Sequence, residues 1–140
     1  MMREEPPQSA SLQVACKSSG IRDEVFSDPR YPLHRISEKL RPYLEILVRE
    51  FNPEQVILFG SYANGTPDGD SDVDLLIVKE MNQSRTKEAT AILRAWRGIR
   101  WNGNSLPLEL ILETPASHLQ RIAGKGAFYL EIVRSGVRLV

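Results

Sequence analysis

The sequence predicts a small α/β (α+β) domain, a mixed sheet of three to four strands covered by helices on one side. Three observations predict it. Two short apolar runs, Val56 to Phe59 and Leu75 to Val78, are bounded by glycine, serine and proline, as core strands are. Apolar residues recur at spacings of three and four from Leu40 to Phe51 and again from Ala89 to Ile99, the period of an amphipathic helix. A third apolar run, Leu106 to Leu112, follows the second stripe, so strands and helices alternate.

Each element has its own signal. Residues 1–35, with Pro6, Pro7, Pro29 and Pro32 and no sustained apolar period, read as an N-terminal extension, disordered or loosely packed. The domain is expected over residues 36–140. Its first helix carries Leu40, Tyr43, Leu44, Leu47, Val48 and Phe51 on one stripe; Pro42 makes it start near residue 41 or bend there, and Pro53 ends it. Gln55 to Phe59 is a strand, Thr66 to Ser71 a surface loop, and Asp72 to Val78 the second strand. Ser84 caps the next helix. Asn102-Gly103-Asn104 marks a turn before the strand Leu106 to Leu112, and Thr114-Pro115 opens another helix. A last helical stretch, Ala127 to Arg134, is stopped by Gly136, and the chain ends in Val137 to Val140.

Composition excludes several classes. The chain has 140 residues, enough for one domain with its own core. Lysine plus arginine equals aspartate plus glutamate at 18 each, so a general nucleic-acid coat is not expected. The one cysteine, Cys16, rules out an intramolecular disulfide and a cysteine-based zinc site. With no long apolar run and no signal-peptide pattern, no membrane partner is expected and the location is read as cytoplasmic.

The chemistry lies between residues 60 and 74. Side chains alternate along a strand, so Asp72 and Asp74 project together while Val73 turns into the core. Paired carboxylates suit a hard divalent cation, typically Mg2+. Gly60 and Ser61, at the start of a short helix, offer amides and a hydroxyl to a phosphate. Gly65 relieves the backbone at that helix's end. Ser71 either touches phosphate or begins the strand. Metal and phosphate together point to a nucleotide-handling enzyme.

The pattern Gly60-Ser61, ten intervening residues, then Asp72-x-Asp74 resembles the nucleotidyltransferase superfamily of the DNA polymerase beta type. Over residues 36–140 the chain is most similar to the minimal nucleotidyltransferases (MNT), single-domain bacterial and archaeal proteins often encoded beside a HEPN-domain partner. The resemblance implies Mg2+-dependent transfer of AMP from ATP to a hydroxyl acceptor, with release of pyrophosphate. It implies a third carboxylate on the neighbouring strand, completing the metal set and activating the acceptor. Glu109 stands there, where the family normally has aspartate, and Glu113 at the strand's end is a weaker substitute. The chain offers no second domain for the acceptor, so the resemblance implies that a partner supplies it: a tyrosine of a HEPN toxin, with this chain as the antitoxin. Two alternatives stand beside that reading. One is a catalytically weak or inactive module that neutralises its partner by contact; the other is a small-molecule nucleotidyltransferase working as a homodimer.

Other residues have plainer readings. Arg94, Arg97 and Arg100 beside Trp96 and Trp101 form a solvated face or a docking surface for an acidic partner or an RNA strand. His34 and His118 read as surface or loosely packed residues, and Tyr62 and Tyr129 as core.

Overall fold

The computed structural model describes residues 20–68, 70–124 and 126–140. Cys16 and residues 1–19 of the expected extension lie outside them. From residue 20 onward the chain belongs to the domain, which corrects the boundary at 36. Ile21, Val25, Phe26 and Leu33 are all buried in the main core, and Arg22 N–H donates to Leu139 O at 2.7 Å. These apolar residues sit on a four-residue helix, α1 (Asp23–Phe26), and a short 3-10 turn (Pro32–Ile36), too brief to show a period in sequence.

Helix α2 (Ser37–Ile46) runs through Pro42 and widens into a π turn, Leu47–Phe51. Asn52, at φ 50°, reverses the chain in the left-handed region that asparagine tolerates. Strand β1 (Gln55–Phe59) leads into the single turn α3 (Ser61–Asn64), and β2 (Val73–Val78) returns antiparallel to β1. Ser84 Oγ accepts from Lys87 N–H at 3.2 Å and starts α4 (Arg85–Ala95). The chain breaks at Trp96, resumes as α5 (Arg97–Trp101), and crosses to β3 (Leu108–Glu113), parallel to β2. Thr114 and Ser117 form a capping box for α6 (Pro115–Ala123), followed by α7 (Ala127–Ser135) and the two-residue β4 (Val137–Arg138), antiparallel to β1.

The result is the expected mixed α+β domain, with four strands in the order β3-β2-β1-β4. One detail differs: helices cover both faces of the sheet. Val56, Leu58, Val73, Leu75 and Ile77 face the main core with α2 and Trp96, while Ile57, Leu76 and Val78 face a second core closed by Tyr129 and Ile132 of α7. Central strand β2 therefore has no polar side between Leu75 and Val78. Trp96 is fully buried, donating its indole N–H to Tyr43 O at 3.0 Å and meeting the Tyr43 ring edge-on. Among the described residues no helix is long and apolar enough to cross a membrane.

Candidate active site

Register builds the site. Phe59, the last residue of β1, pairs with Asp74 of β2, and Asp74 pairs on its other side with Glu109 of β3. The chain must therefore leave the sheet directly beside Asp74. Gly60 does this at φ 82° and ψ −159°, a region open almost only to glycine. A Cβ on Gly60 would stand 2.4 Å from Asp74 Oδ2, so its backbone lies against that carboxylate. Gly60 O then accepts from Ala63 and Asn64 N–H at 3.0 and 3.3 Å, which leaves the first amides of α3, those of Ser61 and Tyr62, outside the turn's own bonding. Asn64 Nδ2 donates to Ser135 O at 3.1 Å and ties the turn to α7.

The two aspartates flank Val73, which is fully buried. Asp72 is exposed and lies one residue before β2, not within it; Asp74 is half-buried and Glu109 exposed. Burial pushes the Asp74 carboxyl above its ordinary value, and the negative charges of Glu109 and then Asp72 push it further. None of these three carboxylates has an ion-pair partner among the described residues. Two uncompensated acids, Asp72 and Glu109, thus stand near the half-buried Asp74 carboxyl, and carboxylate oxygens are the donor type that hard cations take. As the side chains stand, no three His, Cys, Asp or Glu groups among the described residues are arranged to hold a metal, so joint ligation requires a change of rotamer.

Ser71 goes elsewhere. Its hydroxyl accepts from Asp68 N–H at 2.8 Å and reaches Asp68 Oδ1 at 3.3 Å, so it organises the loop and leads into the strand. Glu113 is not a spare ligand. It is 3% exposed at the far end of β3, held by Arg85 at 3.0 Å, Arg121 at 3.2 Å and the Ser117 hydroxyl at 2.6 Å. Beside it His118 is buried, correcting its surface assignment: Nδ1 and the Tyr129 hydroxyl share a hydrogen bond of 2.5 Å. Burial lowers the His118 pKa and pushes Tyr129 up to about 12. Only the later return of α7 onto this face encloses His118, which local sequence does not reveal. His34 stays exposed, its Nδ1 3.3 Å from Phe26 O, and Tyr62 is partly buried against the main core. A groove of about 580 Å3 lined by Asp23, Phe26, His34 and Arg41, among others, contains none of the site's acids.

The sequence reasoning missed the buried pair Lys79–Glu88, 2.5 Å apart, at the opposite end of β2. A lysine directly after an apolar strand was the available signal. Its distance from Asp74 along the strand makes it structural.

The Gly60 turn therefore lies against Asp74, with Glu109 and Asp72 close enough to raise its carboxyl. The family model described as a nucleotidyltransferase domain matches residues 40–123, from α2 through α6 and across the entire site. The chain belongs to the nucleotidyltransferase domain family. It is a transferase of the nucleotidyltransferase kind. Among curated proteins none matches it. In this nucleotidyltransferase domain the matched segment contains Gly60, Ser61, Ser71, Asp72, Asp74 and Glu109 together.

Proposed function

We propose that the protein transfers AMP from ATP to a hydroxyl on a partner protein, the acceptor being a tyrosine of a HEPN-domain toxin and the protein its antitoxin. The observation that carries the transfer chemistry is the position of Asp74, between Glu109 on β3 and the Gly60 backbone just after β1. The choices of ATP and of a HEPN acceptor follow the resemblance to minimal nucleotidyltransferases.

Asp72, Asp74 and Glu109 would hold Mg2+, which when bound neutralises phosphate charge and favours an in-line displacement. The Ser61 and Tyr62 amides and the Ser61 hydroxyl would bind the terminal phosphates. Glu109, the most exposed of the strand-borne acids, takes the acceptor proton. The acceptor oxygen bonds to the α-phosphorus, the bond from that phosphorus to the bridging oxygen breaks, and pyrophosphate leaves with its electron pair.

Incubation of the protein with α-labelled ATP, Mg2+ and a HEPN protein encoded beside it tests the proposal. Label is expected on the partner and absent with Asp74→Ala. An unlabelled partner that Asp74→Ala still neutralises overturns it. That outcome supports contact alone, the reading favoured by a glutamate at 109 where the family normally has aspartate. Joint addition of Mg2+ and ATP separates the two directly: tight binding raises the melting temperature, by about 2.7 kcal/mol of stability at a hundredfold excess over Kd.

A further inference from the structure

Among the described residues strand β3 closes one end of the sheet and pairs only with β2. At the other end, the outer side beyond β4 is covered by the segment at Arg22, whose N–H reaches Leu139 O at 2.7 Å. Pro107 O accepts from Val73 N–H and Glu113 O from Lys79 N–H, at 2.7 and 3.0 Å, so odd-numbered residues of β3 address β2. Even-numbered residues therefore turn their N–H and C=O outward. Two of those outward carbonyls are occupied. Arg85 Nε donates to Leu112 O at 2.9 Å, and Arg100 Nη1 to Leu106 O at 2.9 Å. Among the described residues the backbone of Leu108 and Leu110 between them has no strand partner on this side, and an edge of this kind pairs with another extended chain.

The same two arginines show that α4 and α5 run alongside this edge. Their outer surface is one-signed: from residue 89 to residue 108 there are three arginines and no acid. Arg94 and Arg97 have no ion pair among the described residues, and Trp101 is 86% exposed. Two copies of this chain joined edge to edge would bring these basic flanks together. An acidic chain would neutralise them.

We propose that the β3 edge docks an extended segment of another protein, with a hydroxyl side chain opposite Glu109 and an acidic residue on each side of it. The role of the hydroxyl rests on the protein-acceptor reading above. The alternation of a strand dictates the pattern. A residue opposite Glu109 projects on the face that carries Asp74, while its two neighbours project on the other face, the side of the helices that carry Arg94 and Arg97. In an antiparallel addition Glu109 occupies a non-hydrogen-bonded position, where facing side chains lie closest. Asp74 lies two strand spacings away, about 10 Å, which favours a hydroxyl on a side chain as long as tyrosine's.

The probe is the hexapeptide Val-Glu-Tyr-Glu-Val-Thr, with Val-Lys-Tyr-Lys-Val-Thr as control, and the readout is residue-resolved amide exchange by NMR. The acidic peptide is expected to slow exchange at Leu108 and Leu110 about tenfold or more. Exchange at Glu109 and Ile111 stays unchanged because those amides already bond β2. The lysine peptide is inert, and the surface double variant Arg94→Glu/Arg97→Glu binds about tenfold more weakly at low salt. Unchanged exchange at Leu108 and Leu110 overturns the proposal. So does protection that grows with protein concentration without peptide, which assigns the edge to a second copy, or displacement of the peptide by a single-stranded oligonucleotide that quenches Trp101. Protected amides with no label transfer from ATP leave the docking strand standing and refute the catalytic reading; label on the partner with an unprotected edge does the reverse.

Discussion

Replacing Gly60 by alanine tests the geometry at its tightest point. Gly60 sits at φ 82° and ψ −159°, which costs a residue bearing a Cβ about 2–3 kcal/mol of backbone strain. The new Cβ would also meet Asp74 Oδ2 at 2.4 Å, while Asp74 Cβ stays at an ordinary 3.7 Å. The carboxylate must therefore swing away, adding about 1 kcal/mol for an off-rotamer side chain. Gly60→Ala is expected to lose about 3–4 kcal/mol, a melting-temperature drop of about 10–15 °C. Nucleotide transfer should fall at least about a hundredfold, because a misplaced carboxylate no longer meets the phosphate. Urea unfolding of Gly60→Ala, Asp74→Ala and the double variant separates the two terms. The clash vanishes once the carboxylate is removed, so Gly60→Ala should cost about 1 kcal/mol less in the Asp74→Ala background. Equal costs in the two backgrounds would refute the contact with Asp74, and a total loss below about 1 kcal/mol would refute the strained backbone itself.

Three further outcomes follow from the same structure. Asp74→Asn removes a charge repelled by Glu109 and Asp72 and should stabilise the protein at pH 7 by about 0.5–1 kcal/mol. Because the folded-state pKa of Asp74 is raised, wild type loses this increment as pH rises from 3.8 toward that value, so the advantage of Asn must disappear below pH 3.8 in thermal scans; a constant advantage would contradict the shift. Glu113→Ala should cost about 2 kcal/mol, since half-exposed Arg85 and Arg121 stay hydrated, and calorimetric Mg2+ uptake should be unchanged; lost uptake would make Glu113 a ligand. Lys79→Met strands the buried Glu88 carboxylate at about 3 kcal/mol, while Lys79→Met/Glu88→Leu recovers most of the loss. Burial raises the Glu88 pKa, but hydrogen bonds from Lys79 and Gln83 outweigh it and the net shift is downward. Its contribution is therefore complete above pH 4.5 and lost as acid protonates the folded-state carboxyl, and the double variant should lack that acid-sensitive portion.

Much of the fold was legible because its signals are local. Apolar runs, the Ser84 and Thr114 caps and the Gly136 stop each act within a few residues, and each element they mark is present. Strand ends were less legible: Asp72 falls just outside β2, and β3 begins at Leu108, after Pro107 has accepted its bond from Val73. Residues 20–35 read as an extension because α1 and the 3-10 turn are shorter than any period.

Linear spacing alone selected Asp72, Asp74, Gly60 and Ser61, since carboxylates two apart share a strand face and a glycine-serine turn exposes amides. Three-dimensional pairing decided the rest. Register set Glu109 rather than Glu113 beside Asp74, because a parallel pair aligns residues that sequence leaves 35 positions apart. The second covered face, the enclosure of His118 and the open edge of β3 depend on which element returns to which side of the sheet. Those contacts join residues remote in the chain, and hydrophobic burial selects them only once the whole domain has closed.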